Sequence, residues 1–375
     1  MHLSVRRQRI IFGKMCFHEI LRSIFGHSNE DSPDENTENT NRITQNLVED
    51  TSKNLQTNKN TDNLVIDKSF IIENAITQSK KMSENTHEEN QEIFNEIVNS
   101  LYLNDENCAL SPDHYQLDLQ GHTDKYEDNA SRPLFAFMDT EDLLNRPTYA
   151  TFLALLDNYI SETHADEEVT EEEKEENLAF IEAITDTYLM QNFFEQLTAK
   201  ELFNGDYEDF KSFLMTNWFG LYSRDYQSRR QGCLDSSAFE HTFVGETKAA
   251  PDDDEYKPMG FHNWLRFYTL ERDGELDYEG HVKKANRNYM IQVQFNWQGC
   301  KDKKSSIFVG TSPEFEVAVY TLAMILARNE KKSDYKVSFE VEGESYGVQI
   351  YGNFRYNEGA GKKVYQLESA FPTAW

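Results

Sequence analysis

Two histidines in the sequence have neighbours that could support acid–base chemistry. The stretch FEHTFVGE places His241 directly after Glu240 and five residues before Glu246, and the stretch GFHNW carries His262 among apolar residues. Histidine accepts and donates a proton near neutral pH, so two of them flanking a phosphodiester could deprotonate a ribose 2′-OH and protonate the departing 5′-oxygen. The residues alone leave a second interpretation open, a pair of hydrogen-bonded core histidines.

Chemistry at a phosphate also needs a fixed positive group where negative charge develops. Three lysines in the stretch WQGCKDKKSSIFVG could supply it: Lys301, Lys303 and Lys304. We prefer Lys301 slightly, because it directly follows a predicted strand and a strand end positions a side chain more firmly than a loop does. The same lysines are equally typical of a solvated loop.

The motifs do not support two other kinds of site. A zinc site needs a third strong ligand, and neither histidine has an HxxxH or cysteine partner nearby, while the four cysteines form no CxxC pair. The stretch GESYG matches the GxSxG pattern of serine hydrolases. It lies between two alternating runs, however, which predicts a hairpin with Ser345 in its turn and not a strand–turn–helix elbow.

The elements that would position these residues change type along the chain. From about residue 140 to 225 apolar residues recur with helical spacing, and Thr170 with Glu173 has the capping-box spacing. After residue 288, IQVQFNW, YKVSFEVE and YGVQIYG alternate apolar and polar residues as half-buried strands do. TSPEFEVAVYTLAMILAR predicts a helix capped by Ser312. This order predicts an α+β fold, with a helical N-terminal lobe followed by a mostly antiparallel-sheet lobe.

The N-terminal third has a different composition. Residues 28–130 are rich in Asn, Thr, Glu, Asp and Ser, which is typical of a long, mostly disordered acidic tail, with short helices expected around KSFIIENAI and NEIVNSLYL. The basic amphipathic segment 1–27 could be a transit peptide or a surface-binding helix, but its apolar runs are too short for a secretory signal or a membrane span. We therefore expect a folded domain over 131–375, with a helical lobe to about residue 232, in an intracellular protein of the cytoplasm or nucleus.

The charge of the chain limits how it could bind nucleic acid. A net charge of −29 argues against binding through the overall field of the protein, because phosphate recognition favours Lys and Arg. The charge is uneven, since residues 282–375 contain 13 Lys and Arg against 10 Asp and Glu, a net +3. Any polyanion site should therefore be local and should draw on this final segment.

An ordered series of sequence blocks resembles the EndoU (XendoU-type) endoribonuclease family, also known as the placental protein 11 family. A more distant similarity is to the nidoviral uridylate-specific endoribonuclease. The blocks run in the family's order from about residue 134 to the end of the chain: NRPTYATFLALLDNY, DSSAFEHTFVGETK, GFHNWLRFYTLE, DYEGHV, QFNW, IFVGTSPEFEVAVYTL and SAFP. With seven blocks in the same order, the probability that the similarity arose by chance is very small.

The resemblance implies cleavage of single-stranded RNA at uridines, leaving a 2′,3′-cyclic phosphate and a 5′-hydroxyl, with stimulation mostly by Mn²⁺; Ca²⁺ is a second candidate ion. It places the family's two catalytic histidines on His241 and His262. It places the acidic residues implicated in metal response or histidine positioning on Glu240 and Glu246. Carboxylates suit these hard cations, but two of them without a third partner make an incomplete site, so we assign no metal ligand.

The catalytic lysine departs from the family's pattern. In the relatives this lysine stands five residues after the tryptophan of the strand, but five past Trp297 is Asp302. Lys301 and Lys303 flank that position, so we expect the catalytic lysine at one of these two.

The closing motif also departs from the family. The family usually has Ser or Thr, then Ala, then Tyr before a proline, whereas this chain has Ser369, Ala370 and Phe371. We expect Ser369 and Phe371 to bind the uridine base, by a hydroxyl and a stacking ring.

Two alternatives to a ribonuclease stay open on the sequence. One is an RNA-binding protein of the same fold that has lost or reduced cleavage, suggested by the displaced lysine and the missing tyrosine hydroxyl. The other is an interaction protein whose acidic tail is the functional part. In each of the RNA-related interpretations the partner is single-stranded, uridine-containing RNA, and we expect a monomer.

Overall fold

The computed structural model describes residues 68–124, 127–249, 256–284, 289–357 and 361–374. The expected basic segment 1–27 and the first part of the expected acidic tail lie outside the described residues. The candidate site belongs to the compact unit Lys81–Trp375. No helix in the described ranges is both long enough and apolar enough to cross a bilayer.

The first half of the described chain is mainly helical. Helix α1 covers Lys68–Leu103 and is followed by a short antiparallel pair, β1 (Tyr115–Leu117) and β2 (Phe135–Met138). The next helices are α2 (Pro147–Ala154), α3 (Glu171–Thr185), α4 (Tyr188–Ala199), α5 (Tyr207–Phe219) and α6 (Tyr226–Gln231). The predicted capping box of α3 is present, because Thr170 and Glu173 each accept a hydrogen bond from the other's backbone N–H.

The second half combines antiparallel strands with two helices and a π-helix. Its elements are the π-helix (Glu240–Val244), β3 (Glu246–Ala249), β4 (Tyr256–Met259), α7 (Trp264–Arg272), β5 (Leu276–Lys284), β6 (Met290–Trp297), β7 (Cys300–Phe308), α8 (Pro313–Asn329), β8 (Asp334–Val341), β9 (Glu344–Asn357) and β10 (Lys362–Ala374). The strands form the hairpin β3–β4 and two three-stranded sheets, β5-β6-β7 and β10-β9-β8. Every pairing between these strands is antiparallel, and the predicted α+β class is confirmed.

Helix α8 lies in the centre of the core. Every residue from Pro313 to Ala327 is buried, so the helix is covered on all sides, as expected of an apolar helix packed between layers. Its N-terminus is capped as predicted, since the Ser312 hydroxyl accepts a hydrogen bond from the N–H of Phe315. The helix packs against α2 and α4 on the helical side and against β8, β9 and β10 on the sheet side, so it joins the two halves.

The stretch GESYG forms a hairpin between β8 and β9, as predicted, and not a nucleophile elbow. Ser345 is not in the turn, however. It lies in strand β9, opposite Glu340 of β8, and the turn is made by Glu342 and Gly343. The positive φ values of these two residues, 53° and 80°, are typical of a tight two-residue hairpin turn.

The expected domain boundary at residue 131 is too late. The two short helices expected in the tail are parts of one 36-residue helix, α1. Four apolar side chains in its second half are fully buried: Phe94, Ile97, Val98 and Leu101. In addition, Gln91 and Asn95 accept hydrogen bonds from the backbone of Ser338 and Glu340 in β8. The average composition of this segment is polar and therefore does not predict a buried helix. A single apolar stripe with i, i+3, i+4, i+7 spacing is nevertheless enough to anchor a helix whose other faces are polar.

Candidate active site

The candidate active site forms where the segment carrying His241 meets the segment carrying His262. His241 lies in the π-helix, which is closed by a 2.8 Å hydrogen bond from the N–H of Gly245 to the carbonyl of its first residue. Such π-turns are frequent at functional sites. The N–H groups of Phe261 and His262 donate to the carbonyls of His241 and Thr242 at 3.2 and 2.8 Å. Backbone hydrogen bonds therefore hold the two histidine segments together.

Two glycines allow these segments to approach closely. Gly260 has a φ of 68°, and a Cβ at that position would lie 1.7 Å from the carbonyl oxygen of His241. Gly245 has a φ of 92°, and a Cβ there would lie 2.8 Å from the ring of Phe261. Positive φ values of this kind favour glycine, so a side chain at either position would push the segments apart.

His241 is buried, with 5% of its surface exposed, and both of its ring nitrogens are bound. Nδ1 lies 2.5 Å from the carboxylate of Glu246, and Nε2 lies 2.9 Å from Nη2 of Arg224. Because arginine only donates, Nε2 accepts and the proton of the neutral ring is on Nδ1. Burial, followed by the charge of Arg224, lowers the pKa of His241 against the opposing effect of Glu246. The ring is therefore neutral at pH 7.

His262 is partly exposed and has different partners. Its Nδ1 lies 3.0 Å from the carbonyl oxygen of Ser306 and 3.2 Å from the hydroxyl of Ser305. A carbonyl only accepts, so Nδ1 carries the proton and Nε2 holds the lone pair. Phe371 stacks on the ring, with centroids 4.6 Å apart and 27° between the planes. Burial, followed by nearby His241, lowers the pKa of His262, and the hydrogen bond with Ser306 opposes this.

The two glutamates of the first motif differ in charge. Burial alone would raise the pKa of Glu246, but its contacts with His241 and Arg224 outweigh burial and hold the pKa below its usual range. Glu240 is fully buried and accepts a hydrogen bond from the N–H of Ser237. Burial, followed by the nearby carboxylates, raises the pKa of Glu240 well above its usual range. The contacts of Glu246 therefore favour its carboxylate form, whereas burial favours the protonated form of Glu240.

These two glutamates fit a resident metal ion poorly. Glu246 is already bound by His241 and Arg224, and the raised pKa of Glu240 favours its protonated form, which is a weak ligand. Among the described residues, three ligating side chains meet at one other place: His114, Asp139 and Asp142. There Arg146 lies 3.2 Å from the ring of the histidine and 2.9 Å from the second carboxylate, so a guanidinium already neutralises part of that group.

The three candidate lysines lie on β7 and differ in environment. The ammonium of Lys301 lies 2.8 Å from the carboxylate of Glu279, which is buried and also accepts a hydrogen bond from Gln294. Lys303 and Lys304 are exposed. Lys301 is part of the strand and its side chain is held in place, but the group that holds it is the carboxylate of Glu279.

Ser369 and Phe371 lie on β10, beside both histidine segments. The N–H of Ala370, between them, donates to the hydroxyl of Thr242 in the π-helix at 3.2 Å. Ser369 follows an irregularity in the pairing of β9 with β10, after Leu367, and is 5% exposed. The structure therefore brings the closing motif to the two histidines, although more than 100 residues separate them in the sequence.

Arg224 is a site residue that the sequence did not reveal. Besides contacting His241, its guanidinium donates to the hydroxyl of Tyr222 at 2.8 Å and to the carbonyl oxygen of Glu368 at 3.2 Å. It stands 17 residues before His241 in the stretch LYSRDYQ, with two further arginines nearby. No spacing or compositional signal distinguishes Arg224 from these two arginines, because its contact with His241 depends on the turn that brings the chain back to the π-helix.

Comparison with known proteins identifies the family. The sequence profile described as Endoribonuclease XendoU matches residues 93–372. The chain belongs to the XendoU endoribonuclease family. It is 38% identical over 285 residues to poly(U)-specific endoribonuclease-A of Xenopus laevis, covering 72% of this chain and 92% of that protein. It is 40% identical over 263 residues to uridylate-specific endoribonuclease C of Danio rerio, covering 67% of this chain and 82% of that protein.

A solved structure shares the XendoU-type fold. It is described as the structure of XendoU, a splicing independent snoRNA processing endoribonuclease, and it matches with a TM-score of 0.61 at 34% identity. The match covers 75% of this chain and 97% of the XendoU chain. The family profile begins at residue 93, inside α1, which agrees with the packing of that helix in the core.

Proposed function

We propose that this chain cleaves single-stranded RNA at uridines, with the ribose 2′-OH as nucleophile, leaving a 2′,3′-cyclic phosphate and a 5′-hydroxyl. Membership of the XendoU family supports endonucleolytic cleavage of RNA, and the relatives are named for uridylate or poly(U) specificity. The observation that carries the chemistry is the pair His241 and His262. Their segments are hydrogen-bonded to each other, and each ring is fixed at Nδ1. This leaves Nε2 of His262 for proton transfer, whereas Nε2 of His241 is bound by Arg224 in the free protein.

The partners at Nδ1 suggest different roles for the two histidines. His262 fits the general base, because its partners are neutral and its Nε2 holds a lone pair that can take the 2′-OH proton. His241 fits the general acid, because the carboxylate of Glu246 can stabilise its protonated ring. Hydrogen bonds between opposite charges are the stronger type.

Arg224 would connect RNA binding to the protonation of His241. In the free protein it donates to Nε2, the nitrogen that must carry the proton of the acid. A phosphate oxygen is a better acceptor for a guanidinium than a neutral imidazole, because the hydrogen bond then joins opposite charges. When phosphate binds, Arg224 turns to it, frees Nε2 and no longer depresses the pKa of His241. The guanidinium then also stabilises the negative charge of the phosphorane.

A lysine of β7 would add to this positive charge. We propose Lys303 for this role in preference to Lys301, whose ammonium is held by Glu279. Lys304 is exposed beside it and would contribute less specifically, through the general attraction of RNA.

Ser369 and Phe371 would hold the uridine. A base can stack on the Phe371 ring next to His262, and stacking is worth about 1–3 kcal/mol while depending little on which base it is. A hydroxyl that hydrogen-bonds the base edge discriminates between bases, so Ser369 would provide the preference for uridine over cytidine. The absence of the tyrosine hydroxyl at position 371 removes one polar contact and leaves the stacking surface.

Stimulation by Mn²⁺ or Ca²⁺ is a separate proposal, which the family resemblance suggests. The carboxyl groups of Glu240 and Glu246 do not supply a suitable ligand set, so the chemistry assigned to the histidines does not depend on an ion bound there. Measuring cleavage of one oligonucleotide with Mn²⁺, with Ca²⁺ and with a chelator tests this stimulation directly.

The decisive experiment uses two altered substrates. An oligonucleotide with 2′-deoxyuridine at the scissile position has no internal nucleophile and should resist cleavage. An oligonucleotide with a bridging 5′-sulfur has a leaving group that needs no acid, so it should restore cleavage by His241→Ala and leave His262→Ala inactive.

The possible outcomes separate the alternatives. Efficient cleavage of the deoxy substrate would exclude attack by the 2′-OH. Recovery of His262→Ala by the sulfur substrate, and not of His241→Ala, would reverse the two roles. Tight binding of uridine-containing RNA by the native protein without any cleavage would instead support the RNA-binding alternative.

A further inference from the structure

We propose that Glu368 is a positioning residue that joins uridine recognition to the arginine at His241. This inference rests on the proposed function, because it assigns a role relative to that reaction. Glu368 sits between Leu367 and Ser369, which pair with Gly352 and Tyr351, so it has no partner across the β9–β10 ladder. A residue of this kind is a β-bulge, which turns the side chains that follow it in the strand.

The backbone of Glu368 holds the loop that presents Arg224. Its carbonyl oxygen accepts one hydrogen bond from Nη1 of Arg224 at 3.2 Å and another from the hydroxyl of Tyr222 at 3.1 Å. Nη2 of Arg224, on the same guanidinium, donates to His241. The position of the bulge therefore decides where the guanidinium meets the imidazole.

The side chain of Glu368 holds the same loop by a second route. Its carboxylate is paired with Arg355 of β9, through Nε at 3.1 Å and through Nη2, and both side chains are largely buried, with 22% and 18% of their surfaces exposed. The remaining nitrogen, Nη1, donates to the carbonyl of Ser223 at 2.7 Å. The guanidinium also lies 5.1 Å from the ring centroid of Tyr222. Arg355 thus binds the bulge and the loop together.

Together, the contacts of the Glu368 backbone and those of its side chain join the Arg224 loop rigidly to β10. On one side of Glu368 lies the loop of Arg224, which contacts the acid, and on the other lie Ser369 and Phe371, which would contact the base. A shift of the bulge moves both. Uridine bound at Ser369 would therefore favour the arrangement in which Arg224 is correctly placed, which links base choice to proton transfer.

Charge-conserving variants test this connection without changing the local field. Glu368→Asp keeps the negative charge but shortens the side chain, and Arg355→Lys keeps the positive charge but cannot bind the carboxylate and the Ser223 carbonyl together. The groups facing His241 are Arg224, Glu246, Glu368 and His262, and these variants preserve the charge of each.

We expect two readouts to change together in both variants. The preference for uridine over cytidine in kcat/KM should fall about fivefold, the scale of one lost hydrogen bond. The alkaline limb of the pH profile of kcat/KM, which reports the free protein, should move to higher pH, because a displaced Arg224 depresses the pKa of His241 less. The double variant should be no worse than either single variant, since both act through one pair.

The control is Asn353→Ala, which removes only the 3.2 Å hydrogen bond from Asn353 to the same carboxylate and should change neither readout. Base preference is also measured as affinity for non-cleavable 2′-deoxy oligonucleotides with a single U or C. A native protein without uridine preference in either assay would contradict the proposed function itself. A native protein with that preference, whose variants lose melting temperature but keep both readouts, would show that Glu368 is merely structural. A change in one readout without the other would overturn the connection.

Discussion

The surroundings of the two histidines differ more than their shared chemistry suggests. His241 is buried in a π-helix between a carboxylate and a guanidinium, so charged side chains bind both ring nitrogens. His262 precedes a helix and is held by a backbone carbonyl, a hydroxyl and an aromatic ring, all of them neutral. One ring therefore has a partner that can stabilise a positive charge, and the other does not.

Under the proposed mechanism, this difference would allow one residue type to carry out two opposite proton transfers in the same site. The protonation state of an imidazole depends on what its second nitrogen binds. A neutral partner keeps His262 unprotonated, whereas the pair of charged partners at His241 allows its proton affinity to change when Arg224 moves. The following variants test this comparison, from the largest expected effect to the smallest.

Loss of either ring should have the largest effect. We expect His241→Ala and His262→Ala each to lower kcat/KM on a uridine-containing oligonucleotide by about 10²–10⁴, the range for losing a general acid or base. RNA affinity should remain close to native. His87→Ala, on a partly exposed histidine of α1, serves as the control. Variants that keep more than a tenth of native activity would remove the basis for the comparison.

Substitutions of the lysines test the surroundings of His262, because the lysines lie on β7, the strand whose Ser306 carbonyl binds this ring. Lys303→Ala should lower kcat/KM by about 10², the scale for losing one preorganised charged donor. Lys301→Ala should instead destabilise the fold by about 1–3 kcal/mol, because it leaves the Glu279 carboxylate without its ion-pair partner. The reverse result would return the catalytic role to Lys301.

Substitutions of the two glutamates test the surroundings of His241. Glu246→Gln should lower kcat about 10- to 100-fold, since a hydrogen bond to a charged group contributes about 1.5–3 kcal/mol. Its pH profile should also show the alkaline limb at lower pH, because Glu246 raises the pKa of His241 and the glutamine does not. Glu240→Gln should have a much smaller effect, because burial raises the pKa of Glu240 and favours its uncharged form, which glutamine resembles. Equal losses in both variants would mean that the two carboxyls act as one unit.

The smallest effect is expected at the hydroxyl beside His262. Ser305→Ala removes one of two partners of Nδ1, and the Ser306 carbonyl still fixes the proton, so kcat should fall about fivefold or less. Ser345→Ala is the matched control, since this exposed serine of the GxSxG match lies in the β8–β9 hairpin. A loss of 10²-fold in Ser305→Ala would show that the hydroxyl itself takes part in proton transfer.

The sequence predicted the parts of the site that lie in short local motifs. The histidines, their glutamates and the closing Ser369 and Phe371 could be named because residue type and order in the chain identify them. The alternation of strands and the caps at Thr170 and Ser312 could be predicted for the same reason. A helix cap depends on residues three positions apart, and a strand depends on alternation with a period of two, so both can be recognised from a short stretch of sequence.

The remaining parts depend on contacts that no local pattern shows. Arg224 acts through a turn that brings it back to the π-helix, and the Ser306 carbonyl reaches His262 from a strand 44 residues away. A backbone carbonyl has no residue type to recognise. The ion pair of Lys301 with Glu279 likewise depends on strand register, which shifts at two irregularities in the β5–β6 pairing, one of them at Glu279.

The packing of α1 has a consequence for how the protein is made. Gln91 in this helix binds the backbone of Ser338 in β8, across 247 residues of chain, and Asn95 binds Glu340 across 245. During synthesis the apolar stripe of α1 therefore leaves the ribosome long before the strand that covers it. Contacts of such large sequence separation form slowly, because a long loop must close first. The core around α1 therefore cannot be completed before β8 has been synthesised.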